Sequence, residues 1–106
     1  MGDVFKALAD PTRRAILDEL AERDRQTLFE LCARLVMRHG STSTRQAISQ
    51  HLDVLEAAGL VRVERSGRTV LHELDRTPLE GLLDRWLDRD DAGGSDAPLG
   101  DEPVRG

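Results

Sequence analysis

Residues 44–61 read Thr44-Arg-Gln-Ala-Ile-Ser-Gln-His-Leu-Asp-Val-Leu-Glu-Ala-Ala-Gly-Leu-Val61. Ile48, Leu52 and Leu55 recur at helical spacing, and Thr44, Arg45, Gln46, Ser49 and Gln50 lie largely away from that stripe. The stretch predicts a helix over 44–58, apolar on one side and polar near its start, ended by Gly59. Just before it, Ser43-Thr-Arg-Gln46 fits a capping box, in which a hydroxyl and a Gln or Glu satisfy the free backbone N–H groups of the first turn. Just after it the period changes. Residues 60–65 and 69–74 alternate or carry β-branched side chains around Ser66-Gly67-Arg68, which predicts a two-stranded hairpin.

Working back towards the N-terminus, Asp10-Pro11 reads as a cap and first helical residue, opening a helix over 11–23 with Ala15, Ile16, Leu17 and Leu20 inward. Thr27-Leu-Phe-Glu30 is a second capping box, opening a helix over 28–38 with Leu28, Leu31, Cys32 and Leu35 on one face and Gly40 as a left-handed stop. A short helix over 3–8 precedes both. Beyond the hairpin, Thr77-Pro-Leu-Glu80 opens a last helix over 79–87 bearing Leu79, Leu82, Leu83, Trp86 and Leu87. The expected fold class is mainly α with a β-hairpin, in the order α-α-α-α-β-β-α of a winged helix-turn-helix. A chain of 106 residues buries only a modest core, and apolar first and last helices suit a subunit contact. Val4, Phe5, Leu8, Leu79, Leu82, Leu83 and Trp86 are its candidate residues. One domain over 1–89 is expected, followed by a disordered acidic tail over 90–106, where Gly, Pro, Ser and Asp leave too little apolar surface to offset ordering entropy.

The bulk properties narrow the classes. No stretch is long and apolar enough to span a membrane, and the first residues lack a signal pattern, so a cytoplasmic location is expected. A single cysteine, Cys32, excludes an internal disulfide. No Gly-rich phosphate loop and no nucleophile with a base partner appears, so an enzyme is not expected. The net charge of -5 is unevenly spread: residues 88–106 hold six acids and two bases, a net of -4, which leaves -1 for the remainder. The acidic total therefore does not exclude a locally cationic surface.

In a helix-turn-helix the second helix of the pair enters the major groove of duplex DNA with residues near its start facing base edges. Arg pairs with guanine, Gln with adenine, and Ser or Thr with either. Arg62, Arg65 and Arg68 add positive charge on or beside the hairpin, able to meet phosphates or the minor groove.

Two longer segments, Phe5-Lys-Ala-Leu-Ala-Asp-Pro-Thr-Arg-Arg-Ala-Ile-Leu17 and Gln46 through Val61, with Arg65-Ser-Gly-Arg68 after them, resemble the ArsR/SmtB type of bacterial winged-helix repressors. The resemblance covers residues 3–87. It implies a homodimer through the first and last helices, a near-palindromic operator, and repression that a small-molecule inducer relieves. It puts Ser43, Thr44, Arg45, Gln46, Ser49, Gln50 and His51 at recognition positions and Arg65 and Arg68 on the wing. The chain departs from that family in two respects. Glu30-Leu-Cys32-Ala-Arg34 supplies one thiol where metal-sensing relatives carry paired cysteines, and residues 79–88 contain no histidine, so no metal or other cofactor is expected. Residues 36–42 also lengthen the third helix and its turn.

Other readings fit single residues. Cys32 on an apolar face suits an inert buried thiol over a redox switch. His51 suits half-buried packing as well as base reading, and His39 suits a solvated helix end. His39, His51 and His72 have no metal-ligand spacing. Arg13 and Arg14 fit pairing with Asp18 or phosphate contacts. Asp53 and Glu56 would repel phosphate and are expected beyond the DNA groove. The competing function is a winged-helix module that docks a partner protein and does not bind DNA; a third is a redox- or ligand-responsive repressor using Cys32.

Overall fold

The computed structural model describes residues 3–92, with side chains through residue 84. The elements are α1 (Val4–Leu8), α2 (Pro11–Glu22), α3 (Leu28–His39), α4 (Arg45–Ala57), β1 (Val61–Ser66), β2 (Thr69–Leu74) and α5 (Thr77–Ala92). They fall into two compact units, one through Arg76 and one beginning at Thr77.

Local chemistry explains most helix ends. The Asp10 carboxylate accepts from the backbone N–H groups of Thr12 (2.8 Å) and Arg13 (3.1 Å), with Pro11 in the first turn, where its missing N–H costs nothing. Thr27 and Glu30 form the expected capping box: Glu30 N–H donates to Thr27 Oγ1 at 3.1 Å and Thr27 N–H to Glu30 Oε1 at 2.8 Å. Gly40 ends α3 at φ 63°, a left-handed turn open to glycine without a Cβ clash.

The start of α4 differs from expectation. Thr44, not Ser43, is the cap: its Oγ1 accepts from Ala47 N–H at 3.0 Å, while Ser43 N–H donates to Ser41 Oγ at 3.1 Å. Two adjacent hydroxyl residues compete for one cap position, and Thr44 occupies it with extended backbone (φ -72°, ψ 160°). At the other end of the chain, Thr77 is helical rather than a preceding cap, and α5 continues to Ala92, so residues 90–92 of the expected tail are helical. Residues 93–106 lie outside the described residues.

The core of the first unit is built from Ile16 and Leu20 of α2, Leu31 and Leu35 of α3, Ile48, Leu52 and Leu55 of α4, and Leu60 and Val61 leading into β1, all buried. Each fully buried aliphatic side chain of this kind contributes on the order of 1.5–3 kcal/mol. Ala15, Leu28 and Cys32, expected on the inward faces, are half-buried.

One acid joins this core. Glu19 on α2 has a side chain only 3% exposed, and Arg34 Nε (2.6 Å), Arg38 Nε (3.0 Å) and His39 Nε2 (2.8 Å) of α3 close on its two oxygens. Glu22, one turn on, takes Nη2 of Arg34 (2.9 Å) and Nη2 of Arg38 (2.7 Å). His39 is thus a hydrogen-bond partner of Glu19 rather than a solvated helix end. Burial pushes the Glu19 carboxyl up, but the hydrogen bonds from Arg34, His39 and Arg38 outweigh it and hold the group below its ordinary value.

β1 and β2 pair antiparallel from Val61↔Leu74 to Ser66↔Thr69. Ser66 and Thr69 are partners, so the loop is two residues, Gly67-Arg68, one shorter than expected. Positive φ at Gly67 (61°) and not at Arg68 follows the II′ pattern of two-residue hairpins. The α2–α3 loop holds β2 from its other edge. Gln26 N–H donates to His72 C=O (3.1 Å) and His72 N–H to Gln26 C=O (2.8 Å). His72 Nδ1 lies 3.0 Å from the same Gln26 carbonyl, which can only accept, so this nitrogen carries the proton. Leu74 N–H also donates to Asp24 Oδ1 at 2.8 Å. The hairpin is therefore fixed along its base and free towards Gly67.

Candidate nucleic-acid interface

The buried stripe of α4 turns the opposite face outward. Ser43, Thr44, Arg45, Gln46 and Gln50 are exposed, and Ser49 is half-buried. Thr44 is committed through its Oγ1 to the cap, which fixes where the polar face begins.

His51 is half-buried and engaged. Its Nδ1 lies 3.2 Å from Arg13 Nη1. An arginine nitrogen only donates, so Nδ1 accepts. The same guanidinium donates through Nε to Ala7 C=O at 2.7 Å and through Nη2 to Lys6 C=O at 3.2 Å. Arg13 therefore ties the end of α1 to the middle of α4, and Arg14 donates to Leu8 C=O at 2.7 Å. Neither arginine pairs with Asp18, since the carbonyls left open at the end of the short α1 take both. A sequence reading has no local signal for the Arg13–His51 contact, which spans 38 residues.

The hairpin divides the three wing arginines. Pairing of Arg62 with Glu73 and of Arg65 with Val70, three residues further along β1, puts them on opposite faces. Arg62 pairs with Asp75 (3.5 Å) and Glu73 (3.9 Å), beside Arg25, which binds Glu73 at 2.6 Å and also Glu64. Arg65 shares the face of Val63 and His72, turned towards α4. Arg68 sits in the two-residue loop.

The arginines of the described residues sort by what they hold. Arg23, Arg25, Arg34, Arg38 and Arg62 are paired with acids, and Arg13 and Arg14 hold backbone carbonyls. The side chains of Arg45, Arg65, Arg68 and Arg76 form no hydrogen bond or ion pair among the described residues; Arg76, after β2, is not among the residues that line the cleft of the other three. That cleft, of about 590 Å³, lies between α4 and the hairpin. Ser49, Leu52, Val63 and Val70 share it, with Phe29 of α3. Asp53 and Glu56, expected beyond the DNA groove, line it too, but eight and eleven residues along α4 from Arg45, a rise of about 12–17 Å. The cationic groups thus include the start of α4 and the hairpin tip, and the acids follow towards the end of α4.

Cys32 is half-buried on α3. Burial pushes its thiol up, and the nearby positive charge of Arg45 offsets this only in part. A raised thiol pKa disfavours the reactive thiolate. His39, His51 and His72 are held at three separate places, and among the described residues no three metal-ligating side chains come together.

Of the candidate subunit-contact residues, Phe5 and Leu83 are exposed, and Val4, Leu8, Leu79 and Leu82 are half-buried. Trp86 lies within α5, with its side chain outside the described set. No helix among the described residues is long and apolar enough to cross a membrane.

Residues 8–64 match the family described as helix-turn-helix domain. The chain is 49% identical over 85 residues to the uncharacterized HTH-type transcriptional regulator YuzN of Bacillus subtilis, covering 80% of this chain and 92% of that one. It is 34% identical over 87 residues to the transcriptional repressor SdpR of the same organism, covering 82% and 88%. Among solved structures, an ArsR-like transcriptional regulator from Rhodococcus sp. RHA1 superposes with a TM-score of 0.68 at 36% identity, covering 85% of this chain and 75% of that one.

Proposed function

The chain belongs to the ArsR/SmtB-type helix-turn-helix regulators and is a DNA-binding transcriptional regulator rather than an enzyme, and from that premise we propose that it is a cytoplasmic homodimeric repressor of a near-palindromic operator. Arg45, Gln46, Ser49 and Gln50 read base edges from α4, the Ser43–Thr44 turn meets the flanking backbone, and Arg65 and Arg68 hold phosphates from the wing. His51 works from behind, through Arg13, as a support for α4. Arg62 acts at the wing base, where Glu73 and Asp75 already neutralise it.

One observation carries this reading. Among the described residues Arg45, Arg65 and Arg68 lack protein partners and line one cleft, while five of the other arginines are paired with acids, two hold backbone carbonyls and Arg76 lies outside the cleft. Unneutralised guanidinium groups held beside a polar helix face suit a polyanion whose counterions they can displace.

A salt titration on duplex DNA tests it. With the arginines on phosphate, log affinity falls linearly with log salt, at a slope of about -0.9 per phosphate neutralised. A flat response would favour protein docking instead. Selection of bound sites from random duplexes should return paired half-sites about one helical turn, ~10–10.5 bp, or a multiple of it apart.

A further inference from the structure

We propose that the cleft between α4 and the hairpin is also a ligand site, taking a small amphipathic organic acid whose binding excludes DNA. The inference rests on the regulator reading for its consequence, but the site itself stands on the cleft.

Its volume of about 590 Å³ is that of a small-molecule pocket, within the usual range of roughly 300–1,000 Å³. Its walls are not those of a phosphate track alone. Leu52, Val63 and Val70 supply apolar surface, and Phe29, 69% exposed, extends it from α3. A phosphate backbone gains nothing from such surface, whereas an aromatic or alicyclic body does.

The charges select further. Arg45, Arg65 and Arg68 offer unpartnered donors to a carboxylate or sulfonate. Asp53 and Glu56, also outside every ion pair among the described residues, would repel a polyanion laid along the whole cleft. They suit an amine or hydroxyl at the far end of a compact molecule. A ligand that neutralises the three arginines removes the groups that hold phosphate, so ligand and operator compete. Because the ligand would bind the DNA-free form, it relieves repression by mass action.

The test uses 1-anilinonaphthalene-8-sulfonate, an aromatic sulfonate, as the probe on the full chain, with duplex DNA as competitor. Saturable fluorescence at one dye per chain, lost as DNA is added, is the expected result. Val70→Trp fills the cleft and should weaken the dye about tenfold or more. Phe29→Ala, at an exposed position that folding tolerates, should weaken it roughly threefold. Phe29→Ala, on α3 and outside the residues assigned to DNA, should leave DNA affinity within about twofold, whereas Val70→Trp, the cross-strand partner of Arg65, is read by the dye alone. Dye binding that ignores both variants, or that persists beside bound DNA, overturns the proposal. So does dye binding that falls as protein concentration rises, the sign of a second copy filling the cleft. A chain that binds no duplex at any salt, yet takes the dye saturably and loses it in both variants, refutes the DNA reading and supports the site.

Discussion

Glu19 and Arg45 carry opposite charges and opposite fates. Glu19 is a buried carboxylate made tolerable by Arg34, Arg38 and His39. Truncating it to alanine removes the shared partner of two arginines and a histidine. A fully buried pair loses ~3–5 kcal/mol when broken; here about 2–3 is expected, because Arg34 and Arg38 are partly in water and can rehydrate. Urea unfolding of Glu19→Ala measures it. The same group sets an acid limit. Folding lowers its pKa, so its stabilisation is complete above the ordinary value of 4.5 and fades as pH falls through the lower folded value. Glu19→Gln should flatten the loss of stability below that pH, though only partly, since Asp10 and Glu30 are lowered too by their helix-start hydrogen bonds and titrate in the same direction. Arg45 has no such partner. Arg45→Ala should erode discrimination between operator and random duplex by about 1–3 kcal/mol, the worth of a bidentate base contact. Arg68→Ala should weaken all duplexes and flatten the salt slope. If Arg45→Ala keeps both affinity and preference, α4 does not read the bases.

At the scale of elements, the same substitution should have opposite signs at two glycines. Gly67 holds φ 61° at the hairpin turn, and a Cβ there meets nothing within 4 Å, so Gly67→Ala costs only backbone strain, about 1–2 kcal/mol. Gly81 sits inside α5, again with open space for a Cβ, and Gly81→Ala should stabilise the helix by roughly 1 kcal/mol. Thermal melts of the two variants should move in opposite directions. The elements themselves were largely legible, because helix starts and hairpin turns are written in adjacent residues: Asp10-Pro11, Thr27 with Glu30, and Gly67. Where two hydroxyls competed, at Ser43 and Thr44, the local rule chose the wrong one. The cross-links between elements were not legible. Glu19 reads as an ordinary helix acid until Arg34 and Arg38, at i,i+4 on α3, close on it. Gln26 with His72, and Arg13 with His51, join residues 46 and 38 apart, and nothing nearby in sequence marks either contact. For the interface, the polar face of α4 was readable from its apolar stripe, but the separation of Arg62 from Arg65 came only with strand register.

For the molecule as a whole, charge and symmetry must work together. Residues 88–106 carry -4 of the net -5, so long-range attraction to DNA is weak and affinity must come from contacts made at close range. One recognition helix offers few such contacts, and two presented to successive turns on one side of a duplex multiply them through an effective concentration rather than through new chemistry. The proposed dimer thus does what the net charge cannot. Leu83, 52% exposed on α5, is the cleanest point to challenge it. A charge there costs little in an isolated chain, whose surface tolerates it, but is buried unpaired in a subunit contact. Leu83→Glu should therefore shift sedimentation towards the monomer without lowering helix content. It should bring affinity for a two-half-site duplex down to that for a single half-site, and leave the salt response of the half-site intact. A Leu83→Glu chain that still sediments as a dimer would place the subunit contact elsewhere, and one that is monomeric yet binds the full site undiminished would remove dimerisation from the mechanism of recognition.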